Sequence, residues 1–183
     1  SHKAYLRELS ARGIPTVPTL WLDQGAGDGV ARLLETGWGE VVVKPAVSIG
    51  AIGALRAEAR DPACQAHLVA LLADGDVMVQ PFVASVARDG EVSLVYFGGN
   101  FSHAIRKQPA AGDFRVQEMH GGTVHAWTPA ADELELATRA LAATPVPTTY
   151  ARVDLVRLPD GQPAVMELEL IEPELFLGAS PEV

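Results

Sequence analysis

A chain of 183 residues with 48% hydrophobic content is long enough to bury a substantial core, and its size suits a compact unit of one or two lobes. Its net charge of −9 argues against a general nucleic-acid surface or an anionic membrane as partner, because both attract basic proteins. Cys64 is the single cysteine, which excludes a disulfide framework and a cysteine-based zinc site and leads us to expect an intracellular, cytoplasmic protein.

No apolar run reaches membrane-spanning length and no signal-peptide pattern opens the chain. The sequence starts on Ser1-His2-Lys3 without a Met, which reads as a fragment with a tag remnant. Lysine is rare: only Lys3, Lys44 and Lys107 occur, against eleven arginines, so each lysine is a candidate for a specific role.

In chain order, the spacing of Tyr5, Leu6 and Leu9 before Gly13 predicts an amphipathic helix over 2–12. Residues 14–22 read as extended and 29–35 as a short helix. The β-branched run Glu40-Val41-Val42-Val43-Lys44-Pro45 reads as a strand that Pro45 ends. A loop of small residues over 48–53 leads into a strand near 54–57. Asp61 as N-cap and Pro62 at the first helical position predict a helix to about Leu72, where Cys64 would be a buried structural thiol. Residues 77–83 form a strand running into a hinge over 80–89.

The second half is richer in strands. Residues 91–97 alternate, Asn100 marks a turn, and 102–107 return. A polar loop over 109–122 holds Arg115 and His120, a length that is often functional. A short strand at 123–127, a helix over 130–143 and a final hairpin complete the chain. The layout is α+β: a smaller lobe over 1–83 and a larger lobe over 84–183 built on an antiparallel sheet.

The hairpin carries the most chemistry. Residues 150–156 and 164–170 both alternate, and Asp160-Gly161 between them reads as a two-residue turn. That register sets Asp154 opposite Glu167 and Arg152 opposite Glu169, with all four side chains on one face. Facing carboxylates destabilise a sheet unless a cation joins them. Arg152 neutralises one charge, which leaves about two for a hard cation such as Mg²⁺. The competing reading is a solvated outer face.

Read in order, these pieces resemble the ATP-grasp family. They are His2-Lys3, Val41-Val42-Val43-Lys44-Pro45, the loop 48–53, Val79-Gln80-Pro81-Phe82-Val83, Gly90-Glu91-Val92-Ser93, Ala151-Arg152-Val153-Asp154 and Met166-Glu167-Leu168-Glu169-Leu170-Ile171-Glu172-Pro173. The resemblance covers nearly the whole chain and is nearest to the carboxylate–amine ligase branch, which includes the glutathione synthetases and D-alanine–D-alanine ligase. Residues 104–122 are similar to the glutathione-synthetase-like pattern and to the ureido-serine cyclo-ligase type of cycloserine biosynthesis.

The resemblance implies two lobes with mostly antiparallel sheets clasping ATP, with two Mg²⁺ ions or Mn²⁺ in their place. It implies Lys3, forty-one residues before Lys44, and Lys44 itself on the phosphates. Ser48, Gly50 and their loop would close over them, residues Gln80, Phe82 and Val83 would read adenine, and Glu91 would accept from the ribose. Asp154, Glu167 and Glu169 would hold metal; many relatives carry Asn at the place of Glu169. Arg152 would stabilise an oxyanion, while Arg106 and Arg115 would hold the transferring phosphoryl group or a substrate carboxylate.

The activity implied is an ATP-dependent ligase that joins a small-molecule carboxylate to an amine through an acyl phosphate, with no nucleic-acid or membrane partner and with homo-oligomerisation left open. The alternatives are a phosphotransferase acting on a hydroxyl and a non-catalytic nucleotide-binding module. The family also implies a preceding substrate domain that this chain lacks, so the fragment itself is not expected to be fully active.

Overall fold

Val41 and Val43 define the first of two sheets in this computed structural model, which describes residues 3–48, 51–110, 112–116 and 121–179. Strand β2 (Glu40–Pro45) pairs antiparallel with β3 (Leu55–Glu58) on one side and β4 (Val77–Pro81) on the other, and β1 (Leu20–Leu22) extends the sheet beyond β4. Val41, Val43, Val77 and Val79 turn one face toward Leu33 of α2 (Gly29–Glu35) and toward Cys64, Leu68 and Leu72 of α3 (Pro62–Asp74). Helix α3 starts where its sequence demands it, with the Asp61 carboxylate accepting from Ala63 N–H at 2.8 Å and Pro62 inside the first turn. Val42, Lys44, Met78 and Gln80 share the opposite face, the one those helices leave uncovered.

This sheet and its helices form one unit, comprising Lys3, Ala4 and Val17–Phe82; the second comprises Tyr5–Thr16 and the residues from Val83 onward. Helix α1 (Tyr5–Ala11) therefore belongs with the second unit, not with the first as a boundary at 83 alone implies. The expected hinge is also partly helical, since Ser85–Asp89 form α4 and the Ser85 hydroxyl donates to Arg157 O.

The second unit is a five-stranded antiparallel sheet in the order β7-β6-β5-β8-β9, with β5 Glu91–Phe97, β6 Asn100–Gln108, β7 Thr123–Trp127, β8 Tyr150–Arg157 and β9 Pro163–Glu169. Helix α5 (Ala131–Ala142) covers one face with Leu136, Ala137, Ala140 and Leu141, and Tyr96 Oη meets Thr138 Oγ1 at 3.2 Å. The residues that alternate away from that face carry the charges described below.

The β8–β9 hairpin departs from the expected two-residue turn. Leu158 and Gln162 close a three-residue loop of Pro159, Asp160 and Gly161, with Leu158 N–H bonded to Gln162 O and Gly161 at φ +84°. That loop pairs Arg157 with Pro163 and Leu155 with Val165. Continued without interruption, it would set Asp154 opposite Met166. Instead Met166 is accommodated in an irregularity of β9, after which Asp154 pairs with Glu167 and Arg152 with Glu169. The pairing expected at the carboxylates is thus present, although the turn is one residue longer than expected.

Candidate active site

Asp154 sits at the centre of the second unit's charged face, 2% exposed. Its Oδ1 accepts from Ser93 Oγ at 2.6 Å and from Arg152 Nε at 2.9 Å, and its Oδ2 from Arg152 Nη2 at 3.0 Å and Lys107 Nζ at 3.2 Å. Lys107, 6% exposed, also reaches Glu91 Oε1 at 2.5 Å, and Arg152 Nη2 reaches Glu169 Oε1 at 2.8 Å. Carboxylate oxygens of Asp154, Glu167 and Glu169 all lie within 4.8 Å of one another. Four carboxylates therefore share one surface with Lys107 and Arg152. That donor set, oxygen-only and anionic, fits a hard divalent cation.

Electrostatics follow from this crowding. Burial opposes ionisation of Asp154, but Arg152, Lys107 and Ser93 outweigh it and hold the carboxyl well below the usual carboxylate range. Burial likewise works against the Lys107 charge, and Asp154 with Glu91 more than restores it. Glu91 and Glu169 are pushed up, chiefly by burial and then by their carboxylate neighbours, against the pull of Lys107 and Arg152 respectively. The face thus holds one firmly ionised carboxylate flanked by two that ionise reluctantly, a state that an added cation relieves.

Strand β9 is held from its outer edge. Val165 N–H donates to Pro15 O, and Leu168 N–H, between the two glutamates, donates to Tyr5 Oη at 3.0 Å. Burial, followed by the nearby Glu167 charge, raises the Tyr5 phenol well above its ordinary pKa, so it stays neutral as an acceptor. The segment after β9 returns over Arg152: Arg152 Nη1 donates to Glu174 O, its guanidinium stands 5.7 Å from the Phe176 ring, and His103 Nε2 meets Leu175 O at 2.8 Å.

Several expected site residues are placed otherwise. Arg106 neighbours Lys107 on β6 and so faces the other side of the sheet, with its guanidinium 4.5 Å from the Trp127 ring. The phosphoryl-binding role expected of Arg106 therefore does not fit its position; Lys107 is the β6 cation on the carboxylate face. Its scarcity singled it out, and the missing signal was its pairing with Glu91. Glu91 in turn is buried against Lys107 rather than presented as a solvated acceptor. Arg115 grips Asp113, with Nη2 2.8 Å from Oδ2.

In the first unit, Lys44 lies on the face of β2 away from the helices, and Lys3 N–H donates to Ala46 O. Gln80 is buried with its amide donating to Thr19 Oγ1 at 2.9 Å. Phe82 N–H is taken by Glu40 O, and its ring lies 3.6 Å under the Arg56 guanidinium, so that N–H is not available to a ligand. Val83 O accepts from Val86 N–H at the start of α4. Ser48 is half-buried, whereas Gly50 and His120 lie outside the described residues.

A helix-backed sheet carrying a carboxylate cluster on a β8–β9 hairpin, and a second sheet with a lysine on the face opposite α2 and α3, together define an ATP-grasp protein. The family model of the prokaryotic glutathione synthetase ATP-grasp domain matches residues 25–145, and the chain belongs to this family. It is 37% identical over 201 residues to the cycloserine biosynthesis protein DcsG of Streptomyces lavendulae, a match covering 97% of this chain and 64% of that protein's length. Its fold is similar to the crystal structure of D-cycloserine synthetase DcsG, with a TM-score of 0.85 and 36% identity over 98% of this chain and 65% of that one. D-Alanine–D-alanine ligase from Bacillus anthracis shares the fold at a TM-score of 0.73 and 19% identity, over 97% of this chain and 58% of that one. Among the described residues no helix is long and apolar enough to cross a membrane.

Proposed function

We propose that the protein containing this chain is an ATP- and Mg²⁺-dependent ligase that activates a carboxylate as an acyl phosphate and joins it to an amine or similar nucleophile. The observation that carries this reading is the cluster of Asp154, Glu167 and Glu169, three carboxylates whose oxygens lie within 4.8 Å of one another. The likeness to a synthetase of cycloserine, itself a small molecule, supports small-molecule substrates.

In this reading Asp154, Glu167 and Glu169 hold the metal, which when bound offsets charge on the nucleotide phosphates. Lys3 and Lys44 contact those phosphates, and Ser48 belongs to the loop that closes over them. Lys107 supplies a fixed positive charge beside the metal ligands, in a buried setting where it is worth more than in water. Arg152 spends Nε and Nη2 on Asp154 and Glu169 and one Nη1 hydrogen on Glu174 O. One Nη1 hydrogen remains, enough for a single bond to developing charge at the acyl centre. Arg115 on its loop takes a substrate carboxylate by exchanging Asp113 for it.

The test is phosphate release by the full-length protein supplied with Mg²⁺-ATP, a panel of amino-acid-derived carboxylates and hydroxylamine as a general amine trap. Formation of a hydroxamate with one phosphate released per bond supports the ligase. Phosphate retained on the product identifies a phosphotransferase, and no thermal shift with Mg²⁺-ATP removes both enzymatic readings.

A further inference from the structure

The face of the second sheet opposite the carboxylate cluster is not fully closed by α5. At the end where α5 begins, a cavity of about 260 Å³ is bounded by Asp89, Val92, Arg106, Trp127, Glu133 and Leu155, among others. Its charges are unevenly satisfied. Asp89 is held by Arg88 through Nε at 2.9 Å. Glu133 accepts from Arg157 Nη2, Trp127 Nε1 and Ala130 N–H. Asp132 beside it takes both terminal nitrogens of Arg157.

Arg106 is the exception. Its Nε is buried and has no hydrogen-bond partner, and among the described residues its guanidinium makes only the stacking contact with Trp127 and a longer-range attraction to Asp89. With Nε shut away from solvent, the terminal nitrogens are the donors this guanidinium can offer to an acceptor in the cavity.

We propose that this cavity is a second small-molecule site, distinct from the carboxylate cluster, that binds a small organic carboxylate through the Arg106 guanidinium with its apolar body against Val92, Leu155 and the Trp127 ring. Arginine suits a carboxylate because its two terminal N–H groups can donate in parallel to the two oxygens. The cavity volume is near the lower end of small-ligand pockets, which selects a body of a few carbons. The inference does not rest on the ligase reading, since none of the residues given that role lines the cavity.

The probe is isovalerate, with isovaleramide as its uncharged counterpart, titrated into ¹⁵N-labelled protein without nucleotide or Mg²⁺ while the arginine Nε–H resonances are followed. The expected result is a saturable shift of one Nε–H signal, identified as Arg106 by its absence in Arg106→Lys, with the amide binding about tenfold more weakly. A Glu169→Gln variant should titrate unchanged, which separates this cavity from the carboxylate cluster. Equal binding of the amide, unchanged binding in Arg106→Lys judged by the Trp127 indole signal, or no saturable shift would each overturn the proposal.

Discussion

Lys107 and Asp154 meet at 3.2 Å although 47 residues separate them, and neither has water to fall back on. With Glu91 at the other side of the ammonium, they form a chain in which each buried charge depends on its neighbour. Replacing Lys107 by Met strands Glu91 and removes one of the cations facing Asp154. Losing one partner of a buried pair typically costs about 3–5 kcal/mol. Denaturant unfolding should show that loss for Lys107→Met, and the double variant Glu91→Gln/Lys107→Met should recover at least 1 kcal/mol of it, roughly the coupling of neighbouring charges. Additive losses would show that the pair acts as two independent groups.

Gly90 and Gly161 both sit at positive φ, yet only one has neighbours in the way. A Cβ at Gly90 would stand 2.3 Å from Lys107 O, whereas at Gly161 it would meet nothing within 4 Å. Gly161→Ala should therefore cost only the left-handed backbone term, about 1–2 kcal/mol. Gly90→Ala adds a backbone clash and should cost about 3 kcal/mol or more. Because the clash is with the Lys107 carbonyl, Gly90→Ala should also weaken Mg²⁺-ATP binding, which calorimetry would detect; equal effects of the two substitutions would contradict the packing described here.

Alkaline stability offers a test of Tyr5. Its folded pKa is raised by burial and by Glu167, so the folded state keeps a proton that the unfolded chain releases near pH 10. Stability must then fall as pH rises above about 10, by up to about 1.4 kcal/mol per pH unit for one proton. Lys107, also raised, adds to the fall above about pH 10.4. In metal-free buffer Tyr5→Phe should flatten the limb that begins near pH 10 and leave the later one. An unchanged slope would mean the phenol is not protected in the folded state.

Met166 makes a prediction about register. Since it is the residue accommodated at the irregularity, its deletion should leave Asp154 opposite Glu167 and Arg152 opposite Glu169 while straightening β9. Cross-strand Hα contacts measured by NMR report this directly. A shift of Glu167 to the other face would place the control of register in the turn instead.

The hairpin also shows what was legible beforehand. Alternation in both strands located the carboxylates and their facing partners, because a period of two is set by the strand itself. The loop length was not legible: Asp-Gly suits a two-residue turn, but Leu158 and Gln162 close around three residues, and the Met166 irregularity cancels the offset. Two departures of one residue left the pairing at Asp154 unchanged. Strand β6 had no such protection. Ala104, Ile105 and Lys107 are buried on both faces of it, so the parity separating Arg106 from Lys107 left no hydrophobic pattern to read. Helix α4 was missed because five residues after Pro81 are too few for periodicity to show.

The charged face is assembled from two hairpins, and that has a kinetic consequence. Strands β5 and β6 pair across a short turn and carry Glu91 with Lys107; β8 and β9 do the same and carry Arg152 with Asp154, Glu167 and Glu169. Both can close through local contacts, whereas the β5–β8 pairing that joins them spans about sixty residues and closes late. Until then Asp154 has its Arg152 but lacks Ser93 and Lys107. Substitutions at Ser93 should consequently speed unfolding far more than they slow folding, making this hydroxyl a brake on the opening of the sheet.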